Sequence, residues 1–151
     1  MSLKSESAVT MIRSGYNCAQ SVFAAFCEDC GIDRDTGLKT AYGFGTGMAR
    51  KQEAHGALAA GILVIGARYG RGEQEDRSAA DLTYTKVRWL MDRFADLYGT
   101  LICRELLNGL DLTTEEGRRH FKEARLLETV CSECVRDVVL ILEEDLNGIR
   151  A

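Results

Sequence analysis

The chain has 151 residues, a formal net charge of -4, a pI of about 5.3 and no proline. That length fits one domain, residues 1–151, large enough to bury a core without staples. No Lys/Arg cluster interleaves with aromatics, so nucleic acid and anionic membrane are excluded as natural partners, leaving a small molecule, a metal ion or another protein.

Every clear periodicity along the chain is near 3.6 residues, and no alternating stretch of the strand type is sustained. The expected fold is all-α, a helical bundle around a central small-residue helix. Residues 1–4 lack the charged start and apolar run of a signal peptide and are expected to be disordered or a cloning remnant. A first helix spans about Ser5 to Arg13, and Gly15-Tyr16-Asn17 breaks the chain before a second from Cys18 to Cys30. In that second helix Val22, Phe23, Phe26, Cys27 and Cys30 form an apolar face. Asp33 or Asp35 caps a short helix to about Ala41, and the glycine-rich loop Tyr42–Met48 follows.

The central helix is expected from about Gln52 to Tyr69, where Gly56, Ala57, Ala60 and Gly61 allow close approach of neighbours. Its apolar run from Ala57 to Ala67 is too short to span a bilayer. A long amphipathic helix runs from about Gln74 to Leu97, and a short one from Cys103 to Leu107. Thr113 with Glu116 reads as a capping box for another short helix. The last helix covers about Val130 to Leu146, with Asn147-Gly148 as its stop. No repeat or linker divides the chain.

Three cysteines and one histidine fall at or just after expected helix starts. Asn17 precedes Cys18, Thr100 precedes Leu101-Ile102-Cys103, Thr129 precedes Val130-Cys131, and His55 opens the small-residue helix. A helix N-terminus carries unpaired N–H groups and about half a positive charge, which favours thiolate over thiol. Convergence of these four starts would build a sulfur-rich redox or metal site, with Cys18, His55, Cys103 and Cys131 as ligands and Cys103 and Cys131 as reactive thiols. The six cysteines of a chain without a leader imply a reducing, cytoplasmic setting, where metal binding or catalysis is commoner than disulfide staples.

Other residues weigh less. Cys27 and Cys30 lie at the negative end of a helix and read as core filling. Cys131-Ser132-Glu133-Cys134 starts a helix as redox pairs do, which makes Cys134 a candidate resolving thiol, although the β-α-β setting of thioredoxin-like pairs is absent. Gly43-x-Gly45-x-Gly47 lacks the strand and spacing of a dinucleotide fingerprint and the lysine of a P-loop. Its glycines instead let backbone pass close to the site, with Arg50 and Lys51 adding positive potential for a cofactor or thiolate. Glu53 and Glu105 are candidate extra ligands or proton carriers.

The run Gly15-Tyr16-Asn17-Cys18-Ala19-Gln20, then Gly43-Phe44-Gly45-x-Gly47-Met48-x-Arg50, then Gly56-Ala57, Cys103-Arg104-Glu105-Leu106-Leu107 and Cys131 resembles the redox-active family named for its C_GCAxxG_C_C pattern. The resemblance covers nearly the whole chain in order. It implies a redox chemistry and a four-cysteine signature, without an established reaction or substrate. Two departures stand out. His55 occupies the second signature cysteine, and the following motif glycine falls on Ala60, with Gly61 next.

A histidine there cannot join a disulfide but is an ordinary ligand for zinc or iron, including iron–sulfur centres. The same change is also what a member that has lost the family chemistry would carry. Three readings follow: a redox or metal-binding protein with a Cys/Cys/Cys/His site; a thiol–disulfide oxidoreductase using Cys131 with Cys134 or Cys103; and a non-catalytic helical interaction module. The partners expected are a metal ion or a redox partner protein, with a homodimer through an exposed helix face.

Overall fold

The structure, a computed structural model, describes residues 1–147, and among these the architecture is helical throughout, as the periodicity requires. Helix α1 (Leu3–Arg13) starts inside the stretch expected to be disordered, because Ser2 and Ser5 cap it reciprocally. Helix α2 (Cys18–Phe26) has the same device in Asn17 and Gln20, and ends before Cys30 in a turn closed by the Cys30 and Ile32 N–H groups. Asp33 caps α3 (Arg34–Tyr42) by accepting from the Thr36 N–H.

The glycine-rich segment forms α4 (Gly45–Ala49), a turn of the opposite hand. Thr46, Gly47, Met48, Ala49 and Arg50 all have φ between 54° and 67°. An L-residue at such φ costs about 1–2 kcal/mol, so the turn exists only because its surroundings impose it. Its carbonyls are claimed from ahead: Thr46 by Gln52 N–H, Gly47 by Glu53 N–H and Met48 by Lys51 N–H. Gly47 admits no other residue, since a β-carbon there would stand 2.7 Å from the Gln52 backbone.

The central helix α5 (Gly56–Tyr69) starts four residues later than the periodicity predicts. Residues 52–54 are instead extended and pair with 101–104. Cys103 N–H donates to Glu53 O at 2.7 Å, Arg104 N–H to Gln52 O, and His55 N–H to Leu101 O at 2.9 Å. The buried Gln52 amide braces the same region, donating to Leu110 O at 2.6 Å and accepting from Leu112 N–H at 2.8 Å.

Helix α6 (Arg77–Tyr98) is capped by Asp76, and α7 (Cys103–Leu106) is a single turn. Helix α8 (Glu115–Glu123) is capped by Thr114 and not Thr113, whose N–H and hydroxyl are both taken by the Asp111 carboxylate. A π-helical turn (Leu127–Cys131) then runs without a break into α9 (Ser132–Leu146). Asn147 ends α9, and the stop residue Gly148 lies outside the described residues.

The main core lies where α2, α5 and α9 meet, with α1 and α6 closing its sides. Val22, Phe26, Leu58, Ile65, Leu90, Phe94, Val135, Val138 and Leu142 fill it. Gly61 lets α5 approach closely, because a β-carbon there would meet Leu90 at 2.8 Å and Val138 at 3.0 Å. A smaller cluster of Cys103, Leu107 and Leu112, backed by Phe121 and Val130, packs beside it. The cavity described next is lined from both. At the far end a Lys86–Asp145 ion pair at 2.7 Å, largely withdrawn from solvent, joins α6 to α9.

Candidate functional site

One cavity of about 300 Å³ is bordered by Cys18, His55, Cys103 and Cys131, the four residues singled out in the sequence. Asn17, Thr46, Leu107, Leu112, Phe121 and Leu127 contribute to its wall. Cys18 comes from the first turn of α2, His55 from the start of α5, Cys103 from α7 and Cys131 from the π-turn. Cys27, Cys30 and Cys134 are not part of this wall. All six thiols are free.

Cys18 has the most elaborate setting. Backbone N–H groups of Thr46, Ala19, Ala57 and Cys18 itself face its sulfur, and each lowers the thiol pKa. Burial outweighs them and the net shift is upward. Gly56 is what allows α5 to present its N-terminus here, since a β-carbon at that position would collide with Cys18 Sγ and stand 2.8 Å from Phe44 O.

The expectation of thiols activated by helix starts is corrected for Cys103 and Cys131. Thr100 does not cap α7: its hydroxyl accepts from Ile102 N–H, and Ile102 holds the cap position without a side-chain bond. The N–H groups of Cys103 and Arg104, which would have carried the positive end of the dipole, are spent on Glu53 and Gln52 carbonyls. Burial pushes the Cys103 thiol up to about 12, with the nearby Cys18 adding to the rise. Cys131 is not at a helix start at all. Thr129 returns its hydroxyl to Arg125 O, the backbone is already helical from Leu127, and Ser132 N–H closes the π-turn onto Leu127 O. Burial raises the Cys131 pKa well above the ordinary thiol value, and negative charge at Cys18, Cys103 or Cys134 raises it further. Of the three cavity thiols Cys131 is the least buried.

His55 is 1 % exposed, and its Nδ1 accepts from Ala57 N–H at 3.1 Å. Burial holds its pKa down at about 4, so the ring is neutral near pH 7. With Nδ1 occupied as an acceptor, the proton of the neutral ring sits on Nε2, which makes His55 a donor and not a base. Phe94 packs 6.1 Å from the ring centroid.

The four side chains share a cavity without forming a ligand set. Among the described residues no group of three or more His, Cys, Asp or Glu side chains is disposed to hold one metal ion. The arrangement does not fit zinc or iron as it stands, because a tetrahedral site needs all ligands within about 2.0–2.3 Å of one point.

Arg50 does not border the cysteine cavity. It lies exposed at the end of the left-handed turn and lines two adjoining hollows. Lys51, Glu53 and Glu105 are exposed and outside the wall. Cys27 is buried with its thiol donating to Phe23 O, as core filling requires. Cys134 is fully buried behind Cys131, and burial lifts its thiol to about 12. Sequence reasoning missed Thr46, whose N–H reaches Cys18 from the left-handed turn. The close spacing of Gly43, Gly45 and Gly47 marked the loop but not the donor within it.

No helix among the described residues is long and apolar enough to cross a membrane. No curated protein and no solved structure matches the chain significantly. A family model described as "Putative redox-active protein (C_GCAxxG_C_C)" matches residues 16–145, a span that holds all four cavity residues. The chain belongs to this C_GCAxxG_C_C family of redox-active proteins.

Proposed function

We propose that this protein is a thiol–disulfide exchange protein in which Cys131 meets the substrate and Cys18 resolves the mixed disulfide. The observation that carries this reading is three free thiols from three separate segments bordering one cavity, with the sulfur of one of them faced by four backbone N–H groups. Cys131 takes the first role because it is the least buried of the three. Cys18 takes the second because its N–H donors stabilise a thiolate when one must form inside the cavity.

In the first step the Cys131 thiolate attacks one sulfur of a disulfide R–S–S–R, its proton having gone to solvent. The S–S bond breaks, a mixed disulfide forms on Cys131, and the departing thiolate takes up a proton as R–SH. In the second step the Cys18 thiolate attacks Cys131 Sγ and releases the second R–SH. Two protein thiols are oxidised to one disulfide and the substrate disulfide is reduced to two thiols. An external dithiol reductant restores the starting state by the same exchange in reverse. Cys103 stands beside both sulfurs as a third thiol, and His55 supplies a fixed donor in an otherwise apolar wall.

Mild oxidation with a stoichiometric disulfide followed by proteolysis and mass spectrometry tests this directly. A Cys18–Cys131 disulfide is expected, and Cys131→Ser should abolish release of the first substrate thiol. Cys27→Ser should leave both results unchanged. Undiminished exchange in Cys131→Ser, or a product in which Cys131 stays reduced, would overturn the assignment.

A further inference from the structure

A second hollow of about 470 Å³ adjoins the cysteine cavity. The two share Thr46, Leu112, Phe121 and Leu127 as common walls. The outer hollow adds Arg50, Arg118 and Lys122, all exposed, and one carboxylate, Glu128. Glu128 faces a cation of its own, Arg125, at 3.9 Å. Among the described residues no ion pair involves Arg50, Arg118 or Lys122, although other surface cations such as Lys4, Lys39, Arg93 and Arg119 do have carboxylate partners. In a chain of net charge -4, three cations left without carboxylates beside one cavity form a local positive field against the overall trend.

The backbone holds two of them in place. Arg118 Nη1 donates to Leu112 O at 3.0 Å, which ties the guanidinium to the shared wall. Arg50 is the last residue of the left-handed turn, with φ 67°, so the conformation that brings Thr46 to Cys18 also sets the side-chain origin of Arg50. The apolar strip of Leu112, Phe121 and Leu127 separates cations from thiols. A matching ligand carries an anionic group at one end and a sulfur at the other, with an apolar spacer between.

Resting on the exchange reading above, we propose that the substrate is a small carboxylate-bearing disulfide, whose carboxylate docks on Arg50, Arg118 and Lys122 while its sulfur reaches Cys131. The exchange itself is the balanced two-step reaction already described, with the same dithiol reductant. The cations take no part in bond making. They raise the local concentration of the anionic substrate and orient it.

The test compares two aromatic disulfide probes of similar size at pH 8, the dianionic dithiobis(nitrobenzoate) and the uncharged dithiodipyridine. Each rate at Cys131 is divided by the rate for free cysteine. The wild-type protein should favour the anionic probe on the order of tenfold, a preference that collapses near 0.5 M salt. Arg50→Asn with Lys122→Gln should remove the preference and leave the rate with the neutral probe unchanged. Asparagine is chosen at position 50 because it tolerates the left-handed conformation. Lys122→Gln alone, on an exposed helix position, serves as the second variant and should give an intermediate loss. Equal normalised rates for both probes in the wild type would overturn the substrate class and leave the exchange reading standing. No reaction of Cys131 with either probe would overturn the exchange reading and this inference together.

Discussion

Cys18 Sγ occupies the space that a β-carbon on Gly56 would fill. The two residues belong to the first turns of α2 and α5, so the contact sets how closely the two helix starts approach. Gly56→Ala must either move the sulfur or part the helices, and Phe44 O at 2.8 Å blocks the other way out. A loss of about 1–3 kcal/mol in urea unfolding is expected. Cys18→Ala should recover part of that loss in the double variant, since it removes the colliding atom. Additive costs in the double variant would show that the contact is not what Gly56 protects.

His55 gives the protein a pH-dependent stability. Its folded pKa is about 4 and its ordinary value is 6.5. The unfolded chain therefore binds a proton between these values that the folded chain refuses. Stability is fully present above pH 6.5, falls as pH drops through the interval, and has no further contribution to lose below 4. The full effect is on the order of 3 kcal/mol. His55→Asn keeps a side-chain acceptor for Ala57 N–H and removes the titration. The wild-type minus variant difference in unfolding free energy should shrink steeply from pH 7 to pH 4.5, and a flat difference would contradict a buried neutral ring.

Thiol labelling should follow burial and not helix position. Fast alkylation of Cys103 or Cys131 near pH 6 is the natural expectation from their sequence context, but burial pushes both thiols up. Alkylation at Cys131 should be slow at pH 6 and rise about tenfold per pH unit through pH 9, as the thiolate fraction does. Mass spectrometry assigns the sites. A plateau below pH 8 at Cys131 would mean an activated thiol and a different charge environment from the one described.

Metal content separates the exchange reading from a metal centre. Anaerobically purified protein is expected to hold far less than one zinc or iron per chain, and His55→Ala should leave both that value and the capacity to form the Cys18–Cys131 disulfide unchanged. A stoichiometric ion lost in His55→Ala, with a lower melting temperature, would replace thiol exchange by metal binding as the function.

Much of this arrangement was written locally. Asn17, Asp33 and His55 are cap residues by chemistry and act as caps in the fold, which placed Cys18 and the start of α5 correctly. The errors arise where side chains or distant backbone compete for the same N–H groups. Thr100 and Thr129 are equally good caps by type, yet one turns onto Ile102 N–H and the other bonds Arg125 O. Thr113 loses its role to Thr114 because Asp111 claims it first. The left-handed turn had no local signal beyond its glycines, since Thr46, Met48, Ala49 and Arg50 have no preference for that hand. Contacts from Gln52 and Glu53 impose it. The loss of thiol activation was likewise invisible, because it depends on residues 52 and 53 reaching residues 103 and 104 across the fold.

The main-chain pairing of 52–55 with 101–104 has a consequence for how such a site changes over time. His55 N–H rests on Leu101 O and Cys103 N–H on Glu53 O, so two of the four cavity positions are fixed by peptide groups that every residue except proline possesses. The frame does not depend on what it displays. A histidine can stand at position 55 where relatives of the same pattern carry cysteine, and the neighbouring sulfurs need not shift to receive it. The cavity behaves as a socket with exchangeable contents, and lineages can alter its chemistry one side chain at a time while the scaffold stays folded.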